Sequence, residues 1–433
     1  MGYRRLAFLS LEILLVLSFS VFGGAAIPVR DGFFGVSGIL PDKTLLGELK
    51  VDCVRYGFFI GPTDASFIQG NNLHTRQMTA LVEQGVSPMA TFWAPEVADD
   101  ARASVEAIVS YYTSGQGALA IGAPVHYWEI GNEENGAWKT SCLPEEFARR
   151  VAIISSGIRA ACPACRIVMG GLQDGPQMGE WALEPYLTRF LEAGGGEWID
   201  VYAFHYYGLA NPQVPTPEVE TYLSGEEVLA RMRRVLDHFG KGSSSVWVTE
   251  TSTFSGRVGD VEQSEDEQAA DLVKRFVSLR SLGVEKVFWT YLTEPKYEGT
   301  GEGFFDQAGL VYDGFGPSDL GAGVKKKGFF AYQELVRELD ETEFSGCSRD
   351  AGVTLVRFRR GEGTVSVLWQ DPWIRQGPVW VSPRASVRVV DLYGHEVGTF
   401  LGTFKLDLEL KPVYLQGEVD GISTHPPALQ GAP

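Results

Sequence analysis

HYWEIGNEENGAW, residues 126–138, begins as an apolar, aromatic strand and ends in a burst of glycine, asparagine and acid. Val125 to Ile130 has the composition of a buried segment, yet Glu129, Glu133 and Glu134 and the amides Asn132 and Asn135 follow within a few residues. A packed core does not collect carboxylates, because a buried charge without partners is strongly disfavoured. The stretch therefore reads as a strand that leaves the core at Gly131 and opens into a polar cleft. An ordinary polar turn is the bland alternative for this segment taken alone.

Seven other stretches match its apolar half: 33–38, 52–61, 88–93, 166–171, 200–208, 246–251 and 286–292. Amphipathic patterns such as EEFARRVAIISSGIRA and DEQAADLVKRFVSLRSLG lie between them, several closing on the glycine that often ends a helix. Eight strands, each followed by a helix, predict an α/β chain folded as a (β/α)8 barrel over residues 27–342. A doubly wound open sheet is the rival, but the glycine-rich phosphate turn expected after its first strand is missing. From about residue 343 the texture changes to alternating strands with no helix between them, such as GVTLVRFRR and SVRVVDLYG. That predicts a small antiparallel β domain over 343–416. Residues 417–433 carry little to bury and are expected to be a disordered tail.

A barrel carries its active site at the C-terminal ends of its strands. Strand four ends in Asn132–Glu133 and strand seven in Glu250–Thr251. Two carboxylates from separate strands facing one mouth is the arrangement that cleaves glycosidic bonds. YWEIGNE with VWVTET resembles clan A of the retaining glycoside hydrolases, whose two catalytic glutamates end strands four and seven. The form of the motif is similar to α-L-arabinofuranosidase and heparanase-like members, although the proline that often follows the acid/base is replaced by Glu134. The resemblance implies Glu133 as acid/base, Glu250 as nucleophile and Asn132 on the hydroxyl beside the reacting carbon. It further implies substrate-site roles for Arg55, for His205 and Tyr207 of FHYYG, and for Trp289. Arg55 and Tyr207 would keep Glu250 ionised by charge and hydrogen bonding. Repulsion from that anion favours Glu133 carrying the proton it must deliver. Asn132 and Glu133 are neighbours, and strand neighbours point to opposite faces, so both reach one sugar only if the strand bends at its end.

Other residues are weaker candidates. Glu129 lies too far back along the strand and Glu134 is displaced by one residue, so both rank below Glu133. Trp93, Glu96 and Trp138 are candidates for the cleft wall, and KYEGTGEGFFD (296–306) reads as a mobile rim loop lacking any phosphate-binding pattern. With six histidines and no His-Glu-x-x-His, no catalytic metal is expected, and two carboxylates doing the chemistry require no cofactor.

A formal charge of −18 disfavours nucleic acid and anionic membranes as partners and favours neutral or cationic ligands, with simple solubility the first explanation; a polysaccharide or oligosaccharide substrate is what the resemblance implies. Arg4–Arg5, an apolar run and GGAA predict a signal peptide over residues 1–26, hence secretion with no membrane span left after its removal. Cys142 and Cys162 flank a predicted helix that holds them too far apart to bond, whereas Cys162 and Cys165 can pair locally or stay reduced. A secreted carbohydrate-binding protein on the same barrel, without turnover, is the competing functional class. A variant of it makes the β domain the binding part, with Trp373 and Trp380 as its aromatic platform.

Overall fold

The computed structural model describes residues 27–38, 43–60, 68, 72–93, 97–136, 142–210, 224–296, 299–371, 374, 376–408 and 411–426. The expected signal segment, Glu96, Trp138 and Trp373 lie outside these residues. Among the described residues no helix is long and apolar enough to cross a membrane.

Eight parallel strands close into a barrel: β1 (Phe34–Gly38), β2 (Cys53–Ile60), β3 (Ser87–Phe92), β4 (Tyr127–Ile130), β5 (Arg166–Met169), β6 (Val201–Tyr207), β7 (Ser245–Ser252) and, after the short hairpin β8 (Gly256–Val258) and β9 (Val261–Gln263), β10 (Lys286–Thr290). They are ordered β1-β10-β7-β6-β5-β4-β3-β2, so sequential strands are neighbours throughout, as right-handed βαβ units require. The connection after β1 holds a short helix, Lys43–Leu49, and that between β3 and β4 holds two, Arg102–Thr113 and Gln116–Ile121.

Period-two alternation sorts the barrel side chains. Cys53, Met89, Tyr127, Val168, Val201, Ala203, Trp247 and Phe288 fill the interior, while their strand neighbours pack outward under the helices. The interior is closed below by Lys286, which donates to Asp31 (2.6 Å) and Gly32 O (2.6 Å). The next inward position on each strand, two residues on, lies at the upper mouth: Arg55, Thr91, Glu129 and Thr290 follow Cys53, Met89, Tyr127 and Phe288.

After helix Lys327–Leu339 the chain forms an all-antiparallel β domain. Its larger sheet has the order β11 (Glu343–Asp350), β12 (Val353–Arg360), β13 (Gly363–Gln370), β18 (Val413–Gln416), β15 (Val387–Asp391), β16 (Glu396–Phe400). A smaller sheet pairs β17 (Phe404–Leu406), β14 (Val379–Pro383) and β19 (Val419–Ser423). Leu355, Leu368, Val389 and Leu415 of the larger sheet meet Val381, Phe404 and Val419 of the smaller one. Its other face (Val356, Phe358, Val367, Tyr414) joins the core of the barrel. Residues 417–426 are thus corrected from tail to structure: β19 completes the small sheet, with Val381 opposite Ile422. Two apolar residues suffice there because the partner sheet supplies the rest of the apolar surface.

Arg280 stitches the two parts together. Its guanidinium donates to Leu339 O (2.7 Å) and to Thr342 O, and lies over the rings of Phe33, Phe34 and Phe358. Burial pulls its pKa down to about 10. Cys162 and Cys165 form a disulfide, with Cα atoms 5.3 Å apart, while Cys53, Cys142 and Cys347 are free thiols.

Because barrel and β domain share one apolar core, calorimetry should show a single unfolding transition. Phe358→Ala, which hollows that shared core, should lower stability by about 3–5 kcal/mol and shift the whole transition. Two separate transitions, with only one displaced, would contradict a shared core.

Candidate active site

Two local departures from ideal strand geometry aim the carboxylates. β4 ends at Ile130, and Gly131 turns the chain at φ +82°. Glu133 itself adopts φ +55°, a left-handed conformation that a residue with a Cβ enters only at a cost of about 1–2 kcal/mol. Its N–H donates to Gly171 O (3.1 Å) and its carbonyl accepts from Gly136 N–H (2.8 Å). This bend resolves the neighbour problem, and Asn132 and Glu133 both serve the mouth.

β7 uses a bulge. Its pairing with β6 slips between Phe204 and His205, so that His205 registers with Glu250 instead of Thr249. Trp247 and Thr249 point inward by alternation, and the slip brings Glu250 inward as well. Thr249 then holds His205, Oγ1 to Nε2 at 2.9 Å. Gly171 makes room for that imidazole, since a Cβ there would meet the ring at 2.1 Å.

The polar network is continuous. Arg55 donates from Nε to Glu129 Oε2 (2.7 Å), from Nη2 to Asn132 Oδ1 (2.6 Å) and from Nη1 to Glu250 Oε1, with Ser37 Oγ at 3.4 Å. Tyr207 donates its hydroxyl to Glu250 Oε2. His205 Nδ1 lies 2.8 Å from Glu133 Oε1 and 3.8 Å from Glu250 Oε2. Burial would raise the Glu250 carboxyl, but His205, Arg55 and the Tyr207 hydroxyl together hold it below the usual carboxylate range. The Tyr207 hydroxyl, buried and beside that anion, is pushed far up and keeps its proton.

One carboxylate oxygen of Glu133 and one of Glu250 lie within 4.8 Å of each other, with a His205 nitrogen inside the same span. Three such atoms have the spacing of a metal triad. Here, however, Arg55 and Tyr207 already donate to both Glu250 oxygens, and both His205 nitrogens are engaged. An ion would have to displace these partners.

The structure thus brings together Arg55, Asn132, Glu133, His205, Tyr207 and Glu250. Trp289 is corrected. Phe288 and Thr290 are the inward residues of β10, so Trp289 faces the helix layer, fully buried, with Nε1 donating to Ala308 O (3.2 Å). The half-buried aromatic immediately after β10 is Tyr291, which lies beside Phe305 (ring centroids 6.4 Å). Phe305 in turn stands edge-on to Tyr207 at 5.0 Å, with Phe304 at 5.9 Å. Within 296–306, the stretch expected to be a mobile rim loop, residues 297–298 lie outside the described residues and 299–306 make defined contacts. Gly301 N–H donates to Asp306 (2.9 Å), and Gln307 exchanges hydrogen bonds with the Arg257 backbone (2.6 and 2.9 Å). The paired Phe304–Phe305 in an otherwise polar, glycine-rich stretch was the available signal.

Glu129 and Glu134 are both fully buried but differ in surroundings. Glu129 belongs to the network through Arg55 and Thr91 Oγ1 (2.8 Å). Glu134 points away from the mouth, accepting from Asn132 N–H (3.3 Å) and Cys142 Sγ (3.6 Å).

No protein-family model matches the chain, and no curated protein is significantly similar in sequence. Solved structures are similar in fold. A family 39 glycoside hydrolase from Bacteroides cellulosilyticus superposes with a TM-score of 0.67 at 19% identity, over 90% of this chain and 81% of that one. A glucosidase from Croceicoccus marinus gives 0.64 at 15%, over 93% and 98%. An α-L-arabinofuranosidase from Thermotoga maritima gives 0.56 at 13%, over 90% and 97%. The barrel with its β domain is therefore a fold that these solved glycoside hydrolases share.

Burial raises the Glu134 carboxyl to about 8, so it is uncharged in the folded protein at neutral pH but ionised in the unfolded chain. Its contribution to stability is complete below the ordinary carboxylate value and is lost as pH rises through about 8. Urea midpoints should fall between pH 5 and pH 8. Glu134→Gln should flatten that slope, the two proteins diverging by roughly 3 kcal/mol at the upper end. Parallel curves would place Glu134 in a more polar setting.

Proposed function

We propose that this chain is a retaining glycoside hydrolase. The approach of one Glu133 oxygen to one Glu250 oxygen within 4.8 Å carries the reading, because it fits the close carboxyl pair of retaining enzymes, about 5–5.5 Å apart, better than the separation of about 6.5–9.5 Å in inverting ones. Carboxylates this close lack the wider gap in which an inverting pair seats both the sugar and its attacking water. Glu250, ionised and held by Arg55 and Tyr207, attacks the anomeric carbon, and Glu133 delivers a proton to the departing oxygen. The product is a glycosyl ester on Glu250 and a free alcohol. Glu133, now a carboxylate, then removes a proton from water, which displaces Glu250 with a second inversion and so net retention. Asn132, oriented by Arg55, is placed to bind the hydroxyl beside the reacting carbon. His205 positions Glu133 through Nδ1.

The substrate is a polysaccharide or oligosaccharide met outside the cytoplasm, the N-terminal 26 residues acting as the export signal. The fold shared with a glucosidase and an α-L-arabinofuranosidase supports glycoside chemistry and leaves the sugar open. Activity should fall as pH drops through the Glu250 value, which lies below the usual carboxylate range.

A panel of activated aryl glycosides tests the proposal, with product stereochemistry read by NMR. Glu250→Ala should abolish turnover, and azide should restore it while yielding a glycosyl azide of inverted configuration. Glu133→Ala should lose about 10²–10⁴-fold on substrates with poor leaving groups and much less on activated ones. Wild-type products of inverted configuration would eliminate the mechanism.

A further inference from the structure

Besides the long contact to Ser37, Arg55 donates to three acceptors, yet the reaction proposed above uses only two of them, Glu250 and Asn132. The third, Glu129, is fully buried and exposes no surface to a substrate. Its Oε2 takes the Nε–H of Arg55 (2.7 Å) and the hydroxyl of Thr91 (2.8 Å). Its Oε1 has no hydrogen-bond partner among the described residues. Burying a carboxylate with one oxygen unsatisfied is costly, so the position calls for a reason.

A guanidinium is planar, and binding at Nε fixes that whole plane. Glu129 thereby determines where Nη1 and Nη2 point, toward Glu250 and Asn132 respectively. It also takes a share of the Arg55 charge. Alone, Arg55 would depress the Glu250 carboxyl further and make it a poorer nucleophile. Shared between two anions, it keeps Glu250 ionised while leaving it basic enough to attack. The groups facing Glu250 are Arg55 from β2, Glu133 from the turn after β4, and His205 and Tyr207 from β6, with Tyr291 beyond Tyr207. Those facing Glu129 are Arg55 from β2 and Thr91 from β3.

We propose that Glu129 is a positioning residue for the nucleophile: through Arg55 it sets both the orientation of the Asn132–Glu250 pair and the basicity of Glu250. The kinetic part rests on the glycosidase reading, and the electrostatic part does not. In protein labelled with ¹³C at glutamate carboxyls, the Glu250 resonance is assigned from its loss in Glu250→Gln and titrated by NMR. Glu129→Gln retains an acceptor for Nε but removes the charge, so Glu250 should titrate about one unit lower than in the wild type. Glu129→Asp retains the charge but falls one methylene short of Nε. Glu250 should then titrate near its wild-type value, while kcat/KM falls about tenfold or more through a lower kcat and a higher KM.

A Glu250 titration unchanged in Glu129→Gln, or displaced equally in both variants, would overturn the proposal. Should the Gln variant not fold, the Asp variant decides alone, since wild-type kcat/KM in it would overturn the positioning role. A wild-type protein inactive on every glycoside would count against the proposed function alone, because the titrations stand apart from turnover.

Discussion

Placing the Arg55 guanidinium at the top of the barrel interior removes it from water, a cost of several kcal/mol for an uncompensated ion. That cost is offset because acceptors from three separate segments converge on it: Glu129 from β4, Asn132 from the bend that follows, and Glu250 from β7. Burial lowers the affinity of Arg55 for its proton, but the two carboxylates more than reverse this, and it remains a cation. A fixed positive charge at the barrel axis then dictates its surroundings. Carboxylates must ring it, and their side chains must be delivered at one height from strands on different sides of the barrel.

Regular strands alone would not deliver them. Alternation places Arg55, Thr91 and Glu129 at the mouth without special devices, because each lies two residues beyond an inward-facing core residue. Glu133 and Glu250 need irregular backbone: a left-handed bend through Gly131 and Glu133, and a bulge that resets β7 at Glu250. Both devices sit where β5 and β6 support them, through the Gly171 carbonyl beneath Glu133 and the Thr249–His205 contact beside Glu250. The strain is local, and the rigid barrel below it absorbs the distortion.

This division explains what could be read from sequence. The eight strands were legible because apolar alternation and glycine-ended helices recur at a regular spacing. The candidate pair was legible because acids ending strands four and seven have no place in a core. Trp289 was misread because assigning its face needs the register of β10, which one residue's shift inverts. Glu129 was underrated for a related reason: position along a strand suggests depth but does not reveal a buried cation above it. In the β domain, β11 escaped notice since most of its residues are exposed and lack an apolar rhythm. β19 escaped because only Val419 and Ile422 mark it, and its stability comes from the sheet it completes.

The rim of the barrel follows the same logic one layer further out. Leu209, Phe254 and Val258, with Phe304 against them, form a small apolar cluster joining the end of β6, the hairpin after β7 and the loop after β10. Beside it the fully buried Lys326 pairs with Glu294 and donates to Ser255 Oγ (3.0 Å) and Gln307 O (3.1 Å). These contacts fasten the chain that carries Glu250 to the loop that carries Phe305, whose ring edge supports Tyr207. The hydroxyl of Tyr207 can hold Glu250 only while that ring stays in place. Glu250 is therefore fixed from below by a buried ion network and from the side by an aromatic wall, and the rim contacts keep the two in register.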